Sequence, residues 1–289
     1  MGIKLPIVLD GATGSRLMEK GCPIGTCIEL WCLEHPEIIK EIQASYVEAG
    51  SQLIYAPTVG ANRISLGRFG IAERLEEINV RLLELSREAA GGRALVAGNL
   101  APVGSFAPRS REELFDVYRE QAEVLDKAGA DAFVIETMLA ISDTEAALKA
   151  VKSVCDKPVL VSFTIGKDGK THKGEDLRSA LCIMQEQGAD IFGVNCSLGP
   201  RQVADALISI ADSAKIPLMS KPSAGLPRRI AGKIFYEASP EDFAACVPEL
   251  AKVGVRAFGA CCGSNELSIA AIAEALRKLP VPPPVGFTP

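Results

Sequence analysis

Short apolar runs recur along the chain, separated by stretches whose apolar positions repeat with helical spacing. The runs are Ile7–Asp10, Gln52–Pro57, Ala94–Leu100, Ala132–Thr137, Pro158–Thr164, Asp190–Cys196, Ile216–Lys221 and Val255–Cys261. They are continuous rather than alternating, as expected for parallel strands covered on both faces. Helical periodicity marks Pro36–Glu48, Ala72–Ala90, Arg111–Ala128 and Ser142–Val154. At Ala49-Gly50-Ser51, Ala128-Gly129-Ala130, Gln187-Gly188-Ala189 and Val253-Gly254-Val255 a helix ends at glycine and a strand begins. Glycine is the usual left-handed residue just past a helix C-terminus. Strands alternating with helices through right-handed crossovers predict an α/β fold, a single (β/α)8 TIM barrel. An open doubly wound sheet is the rival. No Pro/Gly/Ser-rich linker divides the chain, so one domain is expected over 1–289, with a proline-rich surface tail at 280–289.

Composition narrows the class. The chain has 289 residues, 48% hydrophobic and only 5% aromatic, which suits a compact α/β enzyme. A net charge of −5 disfavours nucleic acid or an anionic membrane as partner. No apolar run is long enough to span a bilayer. The first ten residues enter a strand-like segment without signal-peptide architecture, so a cytoplasmic protein is expected. Nine cysteines then read as reduced thiols, core residues or metal ligands rather than a disulfide framework.

Barrel chemistry lies at the C-terminal ends of the strands. The predicted ends carry Asp10-Gly11-Ala12-Thr13-Gly14, Pro57-Thr58, Asn99, Glu136-Thr137, Asn195-Cys196, Lys221-Pro222-Ser223 and Cys261-Cys262. Three thiols at separate strand ends, Cys196, Cys261 and Cys262, read as a zinc site with one position left open, the arrangement of a catalytic zinc. The plain alternative is buried core cysteine. Cys22, Cys27, Cys32, Cys155, Cys182 and Cys246 are assigned no role. Asp10 is a candidate substrate ligand or an acceptor for the turn at Gly11.

Asp10-Gly11-Ala12-Thr13-Gly14, Glu136-Thr137, Gly193-Val194-Asn195-Cys196-Ser197 and Gly259-Ala260-Cys261-Cys262-Gly263 resemble the homocysteine S-methyltransferase family, over about Leu5 to Leu279. That family includes the homocysteine-binding module of cobalamin-dependent methionine synthase, betaine–homocysteine methyltransferase and the S-methylmethionine-using enzymes. The resemblance implies Zn2+ held by Cys196, Cys261 and Cys262, which binds homocysteine as an activated thiolate and methylates it to methionine. A coordinated thiol is deprotonated outright. The resemblance also implies that Glu136 binds the substrate ammonium, with Asp10 nearby. Thr58 and Asn99 are candidates for holding the substrate carboxylate. Asn195 either orients the site or satisfies the turn after its strand. In one departure Pro222-Ser223-Ala224-Gly225 stands where many members have Pro-Asn-Ala-Gly, which leaves the resting fourth ligand open.

The methyl donor is not encoded in recognisable form. No cobalamin-binding Asp-x-His-x-x-Gly pattern is present. The donor is then a separate methyl-corrinoid protein or a small sulfonium or betaine. Trp31 and Tyr55 are candidates for an aromatic wall around an onium methyl. Two other readings stay open for the rim. Lys221 is placed for Schiff-base chemistry of an aldolase type, and Gly259–Ser264 for cradling a phosphate. A non-catalytic scaffold that binds zinc or a methyl-carrying protein is a further alternative.

Overall fold

A computed structural model describes residues 3–103, 110–230 and 233–280. Eight parallel strands form the barrel. They are β1 Ile7–Val8, β2 Leu53–Tyr55, β3 Leu95–Leu100, β4 Ala132–Met138, β5 Val159–Phe163, β6 Ile191–Asn195, β7 Leu218–Lys221 and β10 Val255–Phe258. The order is β1-β10-β7-β6-β5-β4-β3-β2. A parallel bridge between Leu9 and Leu53, with Gln52 N donating to Val8 O at 2.7 Å, closes the seam between β1 and β2. The (β/α)8 barrel is therefore the fold, and the open sheet is not. Two further described strands, β8 Arg228–Ile230 and β9 Lys233–Phe235, follow β7 in the chain and make an antiparallel hairpin.

Continuity of the apolar runs has a direct structural cause. Alternate residues of each strand fill two separate cores. Leu9, Leu53, Tyr55, Val134, Leu160, Ile191 and Met219 pack inside the barrel. Phe133, Ile135, Phe163, Phe192 and Val194 point outward beneath the helices. Both faces are dry, so both must be apolar.

The surrounding helices are α1 Gly14–Glu19, α2 Ile28–Glu34, α3 Pro36–Ala49, α4 Arg63–Gly67, α5 Leu75–Ala90, α6 Arg111–Lys127, α7 Ile141–Val154, α8 Leu177–Glu186, α9 Pro200–Ile210, α10 Pro240–Lys252 and α11 Glu266–Arg277. Each of the four junction glycines has a positive φ, as helix-stop glycines require. Ser110 and Glu113 start α6 with a reciprocal capping box.

Three features differ from the sequence expectation. Short helices α1, α2 and α4 fill the connections after β1 and β2. The β8–β9 hairpin is inserted after β7. The last strand ends at Phe258, before Cys261. Ala260 N turns to Asp10 O and Cys261 N to Pro222 O, so the chain leaves the ladder. Adjacent residues on a strand face opposite ways, and this departure lets Cys261 and Cys262 share one site. Of the expected tail 280–289, residues 281–289 lie outside the described residues. Among the described residues no helix is long and apolar enough to cross a membrane.

Candidate active site

A cavity of about 250 Å³ opens at the C-terminal mouth of the barrel. Its wall includes Asp10, Tyr55, Asn99, Glu136, Cys196, Lys221, Cys261 and Cys262. These residues come from the ends of seven strands, so only closure of the barrel brings them together.

The three predicted thiols meet. Cys196 Sγ lies 3.7 Å from Cys262 Sγ, and Cys261 Sγ lies 4.0 Å from Cys262 Sγ. All three sulfurs fall within 4.8 Å of one another. Sulfurs arranged tetrahedrally around an ion at ~2.3 Å stand ~3.8 Å apart, so this spacing fits a zinc-type ion without rearrangement. Ser223 Oγ donates toward Cys196 Sγ at 3.7 Å. Among the described residues no second group of His, Cys, Asp or Glu gathers in this way.

Charge explains why such a cluster calls for a cation. Hydrogen bonds from Cys261 and then Cys262 pull the Cys196 thiol far below its usual range. Giving those hydrogen bonds pushes Cys261 well above the range and Cys262 up to about 11. Three thiolates at this distance require a positive ion to offset their repulsion.

The backbone around the cluster is unusual. Cys196 and Ser197 have φ of 62° and 56°, and Thr137 across the mouth has 59°. Non-glycine residues in this region cost on the order of 1 kcal/mol each or more and gather at functional sites. Gly263, at φ 80°, follows the paired cysteines, and a Cβ there would stand 2.3 Å from the Tyr236 ring. Only glycine allows both that turn and that covering ring.

Asp10 and Lys221 form a buried ion pair on the cavity wall. Asp10 Oδ1 lies 3.1 Å from Lys221 Nζ, and the two side chains are only 2% and 4% exposed. Asp10 Oδ2 accepts from Tyr55 N at 2.8 Å. The ammonium also sits 4.8 Å from the centre of the Tyr55 ring. Burial pulls the Lys221 pKa down, but Asp10, Glu136 and Cys261 outweigh it and hold it well above its ordinary value. A protonated lysine clamped in an ion pair is a poor Schiff-base nucleophile, which removes the support for the aldolase alternative. The phosphate alternative fares no better. The N–H groups of Gly259, Ala260, Cys261, Gly263 and Ser264 are all engaged within the protein.

Glu136 faces the cavity from β4. Its Oε1 accepts from Asn99 Nδ2 at 2.6 Å, and Oε2 from Asn195 Nδ2 at 3.4 Å. Burial raises its pKa, with Lys221 and the Asn99 bond opposing. Asn195 itself is fully buried and reaches the site through its neighbours. Thr58 is equally buried. Its hydroxyl accepts from Asn99 N at 3.0 Å and donates to Asn99 O at 2.8 Å, so it braces β2 against β3.

The proposed aromatic wall is not assembled. Trp31 is buried and stacks on His35 at 4.2 Å, and the cation on Tyr55 is Lys221. Tyr236 is the aromatic side chain beside the thiols, and sequence reasoning missed it. It follows the irregular β8–β9 hairpin, where no periodicity points to it. Tyr46 was missed as well. Its hydroxyl donates to Ala12 O at 2.6 Å, and its ring occupies the space a Cβ on Gly11 would need. Gly11 was the available signal.

A parallel barrel whose mouth gathers three cysteines, a buried ion pair and a cavity-facing carboxylate has the form of a TIM-barrel enzyme with a thiolate metal centre. Residues 7–276 match the homocysteine S-methyltransferase family model, and the chain belongs to that family. Among curated proteins it is 27% identical over 293 residues to methionine synthase of Mycobacterium leprae, covering 94% of this chain. Methionine synthase of Mycobacterium tuberculosis is 26% identical over 297 residues, covering 96%. The chain spans about a quarter of the length of these relatives, 24% and 25%. Among solved structures it superposes on the metallated form of homocysteine methyltransferase MmuM from Escherichia coli with a TM-score of 0.78. That pair shares 23% identity and covers 93% of this chain and 95% of the other, a likeness of fold.

Proposed function

We propose that this chain methylates the sulfur of homocysteine to give methionine, with zinc held by Cys196, Cys261 and Cys262. The observation that carries this is the sulfur triangle on the cavity wall, with a spacing that would suit one tetrahedral ion. When bound, the zinc supplies a Lewis-acidic position that takes a thiol as its thiolate. The protein's own residues do the rest. Glu136 receives the substrate ammonium, since a buried ammonium needs an anionic partner. Lys221 keeps Asp10 paired and offsets part of the negative charge of the mouth. The thiol proton passes to solvent. The sulfur then forms its bond to the methyl carbon as the donor's bond to that carbon breaks, and the electron pair of the broken bond stays with the donor.

The donor enters over the rim. Ile24 at 81% exposure, Leu267 at 60%, Leu226 at 58% and Phe235 at 48% are exposed apolar side chains in the segments that follow β1, β7 and β10. With Trp31 buried against His35 and the Tyr55 ring taken by the Lys221 ammonium, this rim favours a donor carried by a separate corrinoid protein over a free sulfonium or betaine. Cytoplasmic location and one domain over 1–289 belong to the same reading.

Zinc content and proton release test it. The wild type should hold about one zinc per chain and release a proton as homocysteine is added. Cys261→Ser should lose the zinc. A well-folded, reduced wild type that stays zinc-free when zinc is supplied refutes the reading. Methyl transfer from a methyl-corrinoid protein but not from S-methylmethionine identifies the donor class.

A further inference from the structure

The side chain of Asn195 spends all of its hydrogen-bonding capacity at one point. Its Oδ1 accepts from Thr137 N at 2.8 Å and from Ser162 Oγ at 2.8 Å. Its Nδ2 donates to Thr137 Oγ1 at 2.7 Å and to Glu136 Oε2 at 3.4 Å. The amide orientation is fixed by these partners, because a flipped amide would turn its NH2 group toward the Thr137 N–H. Asn195 is fully buried and does not line the cavity. It therefore ties the ends of β4, β5 and β6 from behind.

What it ties together is specific. Glu136 and Thr137 lie near the end of β4, and Cys196 follows Asn195 directly. Thr137, Cys196 and Ser197 are the described non-glycine residues with positive φ; Thr137 bonds to Asn195, and Cys196 and Ser197 are the two residues that follow it. A second brace crosses the same gap, between the Thr164 and Ser197 hydroxyls. Such backbone persists only where its surroundings over-determine it, and one buried amide here does so for two strand ends.

Resting on the proposed function, we infer that Asn195 is a positioning residue that sets the separation between the ammonium-binding carboxylate of Glu136 and the sulfur-binding site at Cys196. That separation selects the chain length of the aminothiol. Homocysteine spans it, and cysteine, one methylene shorter, does not reach both ends. A methylene is worth about tenfold or more in a site of fixed length.

The test is equilibrium binding to the zinc-loaded protein without any methyl donor, read by calorimetry with homocysteine and with cysteine. The wild type should favour homocysteine by at least about tenfold. Asn195→Asp keeps the shape but turns the Nδ2 donor into an acceptor facing Glu136. It should lower homocysteine affinity about tenfold and move the homocysteine-to-cysteine ratio toward one, with zinc still at one per chain. Ser162→Ala removes only the bond into Oδ1 and should shift the ratio the same way by a smaller factor, which decides the matter if Asn195→Asp does not fold. An unchanged ratio, or equal losses for both thiols, overturns the inference and leaves the proposed function standing. Failure of the wild type to bind either thiol overturns the proposed function and the inference with it.

Discussion

Replacing Lys221 by Met tests the electrostatics of the cavity wall. The substitution keeps a long apolar side chain and removes the ammonium that stands 3.1 Å from Asp10 Oδ1. Both partners are almost wholly buried, so solvent does little to screen the loss. Breaking a buried pair by removing one partner costs about 3–5 kcal/mol, because the other charge is left without compensation. For a chain of this size that is a fall in Tm of roughly 6–10 °C, at about 2 °C per kcal/mol. The sign with pH is also fixed. In Lys221→Met, burial still raises the Asp10 pKa and the opposing lysine is gone. The deficit should therefore be smallest below the unfolded carboxylate value of 3.8 and grow as pH rises above it. In the wild type the raised Lys221 pKa stabilises fully below 10.5, and this is lost as pH rises through the folded value. The assay is urea unfolding of metal-matched proteins across pH, for wild type, Lys221→Met, Asp10→Asn and the double variant. The double variant should cost less than the two singles together by about 2 kcal/mol. A Lys221→Met protein within about 1 kcal/mol of wild type, or strictly additive costs, refutes the picture of a working ion pair.

Glu136→Gln should raise KM for homocysteine about tenfold or more while zinc content stays the same, since a charged hydrogen bond is lost. Binding of 4-mercaptobutanoate, which lacks the amino group, should not change; equal losses for both thiols would remove the ammonium role. Homocysteine binding to the wild type should weaken as pH falls through the raised Glu136 pKa, and that pH step should vanish in Glu136→Gln. Tyr46→Phe deletes the 2.6 Å bond to Ala12 O and leaves the ring against Gly11. It should cost about 1 kcal/mol in urea unfolding, and a loss of several would mean that the ring had moved as well.

Much of this protein was legible before any coordinates. Eight apolar runs, four glycine helix stops and the three cysteines at strand ends were enough to predict a barrel with its chemistry on one rim. They were legible because each is a local consequence of its surroundings. A strand dry on both faces must be apolar, and a helix that stops sharply needs a left-handed residue. The early end of the last strand was not legible, because Val255–Cys261 is apolar throughout and nothing local shows that the backbone turns to Asp10 and Pro222. Tyr236 was hidden for a similar reason, since the hairpin before it has no helical or strand period.

The sequence alone determined the fold class, the rim and the identity of the thiols. The tertiary structure alone decided what the polar residues of the rim do. Asp10 and Lys221 are far apart in the chain; Asp10 reads by itself as a substrate ligand or turn acceptor and Lys221 as a Schiff-base lysine. Pairing of β1 with β10 and of β10 with β7 places them 3.1 Å apart, and burial leaves each the other's partner. Asn195 reads as a site-orienting residue or a turn acceptor until the packing of β4, β5 and β6 puts it behind the wall. Pairing across a closed barrel depends on register and depth, and neither is written into the local pattern of apolar and polar positions.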